Sequence, residues 1–121
     1  MPTVIRGSDN IDTSNVATQT ELDVVDGQLL GVGQTWQNVT ASRTAGVTYT
    51  NTTGKPIMVL VNCGTPSVTQ HLDVTLDGGI LFVGQQATAA NYAVTASPII
   101  VPNASTYKIT GPTINMWLEL R

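Results

Sequence analysis

Charge is what this chain has least of. Five bases and eight acids in 121 residues make 11%, where a soluble domain usually carries about 25%. The bases, Arg6, Arg43, Lys55, Lys108 and Arg121, are scattered and the net charge is −3. That excludes the clustered cationic surface on which phosphate binding depends, so nucleic acid is not an expected partner. A single cysteine, Cys63, excludes an intrachain disulfide. No run approaches ~18 consecutive apolar residues, so no helix is expected to insert into a membrane. The opening Met1-Pro2-Thr3-Val4-Ile5-Arg6-Gly7 lacks the basic start and long apolar centre of a secretory signal, and synthesis and use without export is the expectation. A phosphate-cradling loop is missing as well. Gly31-Val32-Gly33 begins like a dinucleotide fingerprint but has neither a third glycine nor a helix to follow.

What the chain does have is short runs of Val, Ile, Leu and Thr, cut apart by Gly, Pro and Asn. In Val68 to Leu76 the even positions are mostly apolar and Thr69, His71, Asp73 and Thr75 are polar. That period of two belongs to a strand with one face buried and one face wet. Such runs are predicted over 34–40, 46–52, 56–62, 67–77, 79–84, 90–95, 98–101, 105–110 and 113–120. Asp77-Gly78-Gly79 links two of them as a tight hairpin should, and Asn51-Thr52-Thr53-Gly54-Lys55-Pro56 and Pro102-Asn103-Ala104-Ser105 read as turns. Hairpin links with no long helical pattern between them leave no room for the crossover helices of a parallel sheet. The expected fold is all-β, an antiparallel β-sandwich, in a single domain of this length.

Two segments follow from composition. Residues 1–30 form an acidic N-terminal arm, with Asp9, Asp12, Glu21, Asp23 and Asp26 against Arg6 alone, while residues 31–121 make the sandwich body and are close to neutral. Around Glu21 to Leu30 the spacing of Leu22, Val25 and Leu29 suits a helix, and Val24-Val25 before glycine suits a strand nearly as well. Several body strands are apolar on both faces: Ile57 to Val61, Ile80 to Val83 and Ile99 to Val101. One face of an antiparallel sheet in so small a domain should meet water, so a second copy is expected to cover the other, the alternative being cover from loops and the N-terminal arm. Ile57, Val59 and Val61 in 56–62 and Met116 and Leu118 in 113–120 are the candidates for that subunit interface.

Residues that could carry chemistry are few. His71, two positions from Asp73, could join a triad or gather at a symmetry axis around a metal, but one histidine on a strand is ordinarily a surface residue, and no catalytic or metal site is expected. Asp73, Asp77 and Glu119 are the body carboxylates available for glycoside cleavage, which needs two of them close together. Cys63 ends an apolar strand with no base beside it and reads as a small buried residue. Asn38-Val39-Thr40, Asn51-Thr52-Thr53 and Asn103-Ala104-Ser105 match the glycosylation pattern by chance in a chain this rich in Asn, Ser and Thr. Trp36, Tyr49, Tyr107 and Trp117 lie inside patterned strands and are expected in the core. The polar segment holding Gln85, Gln86, Asn91 and Tyr92 is the expected binding loop, since recognition usually sits on loops held by a rigid sandwich.

The stretch Leu30-Gly31-Val32-Gly33-Gln34-Thr35-Trp36-Gln37-Asn38-Val39-Thr40, followed by Ser42-Arg43, by Gly46-Val47-Thr48-Tyr49-Thr50-Asn51 and by Thr53-Gly54-Lys55-Pro56-Ile57, and closed by Trp117-Leu118-Glu119-Leu120-Arg121, resembles the C-terminal domain of tailed-bacteriophage tail fibres. The likeness covers about residues 30–121. It implies a trimeric, jelly-roll-like knob on the virion, made in the bacterial cytoplasm, with no enzymatic activity and no cofactor. Its implied partners are two further copies, other virion proteins and a host cell-surface glycan or protein. Where such a domain ends a fibre a long shaft precedes it, and here only some thirty residues do. A capsid decoration protein anchored through its arm is therefore the alternative.

Overall fold

The computed structural model describes residues 16–64, 72–82, 94–95, 97–111 and 113–121. They form one helix and nine strands: α1 (Gln19–Gln28), β1 (Trp36–Asn38), β2 (Thr48–Thr50), β3 (Ile57–Cys63), β4 (Asp73–Leu76), β5 (Gly79–Phe82), β6 (Val94–Thr95), β7 (Ile99–Val101), β8 (Thr106–Thr110) and β9 (Ile114–Leu120). Every strand falls inside or against a segment that the alternation predicts.

All pairings are antiparallel. The first sheet runs β1, β9, β3, and the far flank of β3 is shared: β7 pairs with Ile57 to Val59 and β6 with Asn62 and Cys63. The second runs β2, β8, β4, β5. The fold is thus mostly β in two antiparallel sheets. Their buried side chains form one cluster, with Ile57, Val59, Val61, Cys63, Ile99, Val101 and Trp117 from the first sheet and Val74, Tyr107 and Ile109 from the second, joined by Leu72. Strand β3 shows how the sequence does this. Its odd positions, all apolar, point inward and are at most 1% exposed, while Met58, Leu60 and Asn62 are only partly covered on the other side. Each buried Ile or Val contributes about 1.5–3 kcal/mol of transfer free energy, and a slip of one residue would turn the whole set outward.

The turns carry the residues their geometry requires. Leu76 pairs with Gly79, so β4 and β5 are joined through Asp77 and Gly78, both left-handed with φ of +47° and +82°, as a two-residue hairpin turn demands. Between β2 and β3, Asn51 is 2% exposed. Its amide donates to the carbonyls of Lys55 (2.7 Å), Val101 (3.0 Å) and Pro102 (3.0 Å), and its oxygen accepts from the Thr53 N–H and hydroxyl. That side chain stitches the loop to the end of β7 and has no amide hydrogen left for a glycan.

Segment Glu21 to Leu30, which suits helix and strand alike by spacing, is helical because of its start. Thr18 caps α1 by accepting from the Glu21 N–H while the Glu21 carboxylate accepts from the Thr18 N–H and hydroxyl, a reciprocal box that satisfies the first orphan donors of a helix. No residue of α1 is buried. A 3-10 turn at Thr40–Ser42 follows β1. No helix among the described residues is long and apolar enough to cross a membrane.

Three of the side chains assigned by sequence to a subunit interface, Ile57, Val59 and Val61, are sealed by this chain's own second sheet. Their burial needs no second copy. Met116 and Leu118 stand on the opposite, outer face. Trp36 also departs from expectation: it is 49% exposed, because it pairs with Leu120, whose side of β9 points away from the core.

Candidate functional site

Strand β9 inverts the usual order of polar and apolar. Met116, Leu118 and Leu120 face out, and Trp117 and Glu119 face in, each 0% exposed. A buried carboxylate is costly unless it is paired and hydrogen-bonded, and here five donors converge on it. Oε1 accepts from Arg43 Nε (2.9 Å), the Tyr107 hydroxyl (2.6 Å) and Trp117 Nε1 (3.2 Å). Oε2 accepts from Arg43 Nη2 (3.0 Å) and Arg121 Nη1 (2.9 Å). The Arg43 contact is the two-pronged guanidinium–carboxylate geometry, stronger and more directional than a single bond.

Aromatic rings wall this knot. The Arg43 guanidinium lies 4.6 Å from the Tyr49 ring centroid, a cation–π contact. Tyr49 meets Trp117 edge-on at 5.9 Å and Tyr107 at 5.9 Å. The Tyr49 hydroxyl in turn accepts from the Thr44 N–H at 2.8 Å, and the Trp117 N–H donates to Thr40 Oγ1. Arg43 and Tyr49 arrive from the β1–β2 connection and β2, Tyr107 from β8, Trp117 and Glu119 from β9 and Arg121 from just after it, so the knot joins the two sheets.

Its titration follows from this packing. Burial alone would push the Glu119 carboxyl up, but hydrogen bonds from Arg43 and Tyr107 and the charges of Arg43 and Arg121 outweigh it and hold the group below the ordinary carboxylate range. Burial, then the adjacent Glu119 carboxylate, pushes the Tyr107 hydroxyl well above the usual tyrosine range. The hydrogen bond to Glu119 raises Arg43 further. Glu119, Tyr107 and Arg43 are each thereby held in one protonation state near neutrality. An acid–base catalyst needs the reverse.

The other carboxylates stand elsewhere. Asp77 sits in the β4–β5 turn, where it accepts from the Thr106 N–H at 2.7 Å, and that bond holds its carboxyl low. Asp73 opens β4, about 13 Å from Asp77 at strand rise, and its Oδ1 is buried with no hydrogen-bond partner among the described residues. Glu119 lies on the inner face of the other sheet. The structure brings no two of them together. Among the described residues no three His, Cys, Asp or Glu side chains are grouped to hold a metal. Cys63 is 0% exposed and burial pushes its thiol up. His71, Gln85, Gln86, Asn91 and Tyr92 lie outside the described residues.

The two outer faces differ. On the second sheet the rows are polar across β2, β8 and β4, Thr48 beside Lys108 beside Thr75, with Thr50 beside Thr106 and Thr110 beside Asp73, and the register continues two of them to Ile80 and Phe82 of β5. The outer face of the first sheet is mostly apolar, with Asn38 beside Leu118 and Asn62 beside Met116. The register aligns Trp36, Leu120, Met58 and Ile100 in one row across four strands, and Leu118 with Leu60 in the next. Sequence reading expects a second apolar face, but it places that face on the wrong side of β3.

The chain matches no protein-family model, and neither the curated proteins nor the solved structures give a significant match.

Proposed function

We propose that this chain is a non-enzymatic structural and recognition protein of a bacteriophage particle, acting like a tail-fibre tip that binds a host cell-surface glycan or protein. In this reading the two sheets form a jelly-roll-like sandwich, three copies make a knob on the virion, and residues 1–30 attach it to other virion proteins. One observation carries the reading. Five of the residues on which the tail-fibre likeness rests are not scattered coincidences of composition: Arg43, Tyr49, Trp117, Glu119 and Arg121 meet in a single knot. Residues that share one structural task form a signature of an architecture. The saturated Glu119 carboxylate, with no lone pair turned to solvent, supports a non-enzymatic role.

The alternative, a capsid decoration protein held by its arm, draws support from α1, which is acidic and buries nothing against the body. Adsorption separates the two. Labelled protein titrated onto bacterial cells and their isolated surface glycans should bind saturably. Binding to bare capsids with none to cells would replace the receptor reading by decoration, and binding to neither would end both.

A further inference from the structure

We infer that the outer face of the first sheet is covered by helix α1 of a second copy of this chain, so that copies exchange helices around a closed ring. The inference deepens the self-association within the proposed function and does not depend on the viral assignment. It starts from two apolar surfaces on one chain that leave each other bare. Trp36, Ile100 and Met116 are 49%, 53% and 45% exposed. With the partly exposed Met58, Leu60, Leu118 and Leu120 between them, they leave roughly 500 Å² of contiguous apolar surface, the upper end of the largest patch on an ordinary monomer.

The second surface is α1. Ten residues with nothing buried are fewer than the ~12–15 that hold a helix in water unaided. Leu22 and Val25 line one edge of it, with Leu29 just past its end, at 49%, 54% and 49% exposure, and Glu21 and Asp26 flank that edge. Its own sheet is not the partner. The connection is pinned beside the end of that sheet, by Gln34 Nε2 to the Pro56 carbonyl (2.8 Å), Lys55 Nζ to the Val32 carbonyl (3.0 Å) and the paired Thr35 and Arg121 backbones. From there α1 departs with every residue exposed.

Helix on helix is disfavoured, because Glu21 and Asp26 would set like charges against each other along parallel copies. Sheet on sheet would leave α1 uncovered. Helix on sheet covers both. It also brings the helix acids toward Lys55, which no carboxylate pairs with among the described residues. A specific interface needs about 800 Å² per partner. In a ring each copy gives a helix and receives one, and the roughly 300 Å² on α1 added to the sheet face reaches that size. Two-fold closure places both contacts on one interface, whereas three-fold closure splits the same area between two neighbours, about half of it per interface.

The test uses full-length protein and its mass in solution at 1 to 100 μM. Wild type should be a closed oligomer. Leu22→Asp with Val25→Asp on the helix, and separately Ile100→Asp with Met116→Asp on the sheet, should each weaken assembly at least 100-fold and give monomer. All four positions are exposed, and a cooperative melting transition checks the fold; should an aspartate pair unfold the chain, Leu22→Ser with Val25→Ser and Ile100→Thr with Met116→Thr replace them. Mixing the helix variant with the sheet variant should then give a one-to-one heterodimer, because one intact helix and one intact sheet face remain. Neither helix–helix nor sheet–sheet packing yields that product. A monomeric wild type, variants of unchanged mass, or a mixture that stays monomeric would each overturn the inference, while adsorption to cells tests the function separately.

Discussion

Replacing Glu119 by glutamine keeps the shape of the side chain and removes one acceptor. The wild-type carboxylate takes three donors on Oε1 and two on Oε2. An amide oxygen placed at Oε1 leaves its NH₂ facing the N–H groups of Arg43 and Arg121, and the flipped amide faces Arg43, Tyr107 and Trp117 instead. Either way donor meets donor, and Arg43 loses its two-pronged partner. Breaking a buried ion pair from one side costs about 3–5 kcal/mol. The Arg43 and Arg121 side chains keep 15% and 29% exposure and reach water in part, so the low end, about 3 kcal/mol, is the expected loss. For a domain of this length that lowers the melting temperature by roughly 10–15 °C.

Urea unfolding followed by tryptophan fluorescence measures it, and pH supplies an internal control. The Glu119 carboxyl is held below its ordinary range, so its stabilisation is complete above the unfolded-state value of about 4.3 and is lost as pH falls through the folded-state value. The gap between wild type and E119Q should be widest at neutral pH and close in acid. A loss under about 1 kcal/mol at pH 7, or a gap that does not change with pH, would refute the assignment of the knot as the joint between the sheets.

Tyr107→Phe removes the 2.6 Å donor to Glu119 and should cost about 2 kcal/mol in urea unfolding. Because the Tyr107 hydroxyl is raised, its contribution is whole below the unfolded tyrosine value near 10 and fades as pH rises above it, so wild type should lose more stability in alkali than Y107F does. Asn51→Ala strips a donor from the Lys55, Val101 and Pro102 carbonyls and should lower stability by about 2–3 kcal/mol, seen as a lower urea midpoint. Cys63, fully buried with a raised thiol, should react with an aromatic disulfide reagent at least ~100-fold more slowly in the native protein than in urea, by absorbance.

Strand positions were legible because a half-buried strand writes its period into the sequence, and the Asp77-Gly78 turn because left-handed backbone selects those residues. Facing was less so. In Trp117-Leu118-Glu119-Leu120-Arg121 hydrophobicity alone points the leucines inward, yet Trp117 shares a side with Glu119, and its bulk together with the distant Arg43 turns that side to the core. A charged pair of opposite sign on the tryptophan side of a strand is the signal that could have revealed the knot, given a base elsewhere to complete it. Ile57, Val59 and Val61 show the same limit: a run apolar on both faces cannot say which face is covered from within. The helix was half legible, since periodicity allowed it but the Thr18–Glu21 box decided it.

Trp117 and Glu119 are fully buried, and Arg43 and Arg121, though partly open to water, direct their guanidinium groups inward onto Glu119. Proteins built on this joint would therefore share a chassis and could differ widely at the surface, because most exposed side chains contribute nothing to it. Foreign segments spliced between strands other than β1 and β2, whose connection carries Arg43, would leave the joint intact, making the body a mount on which new specificities can be installed without redesigning what holds it together.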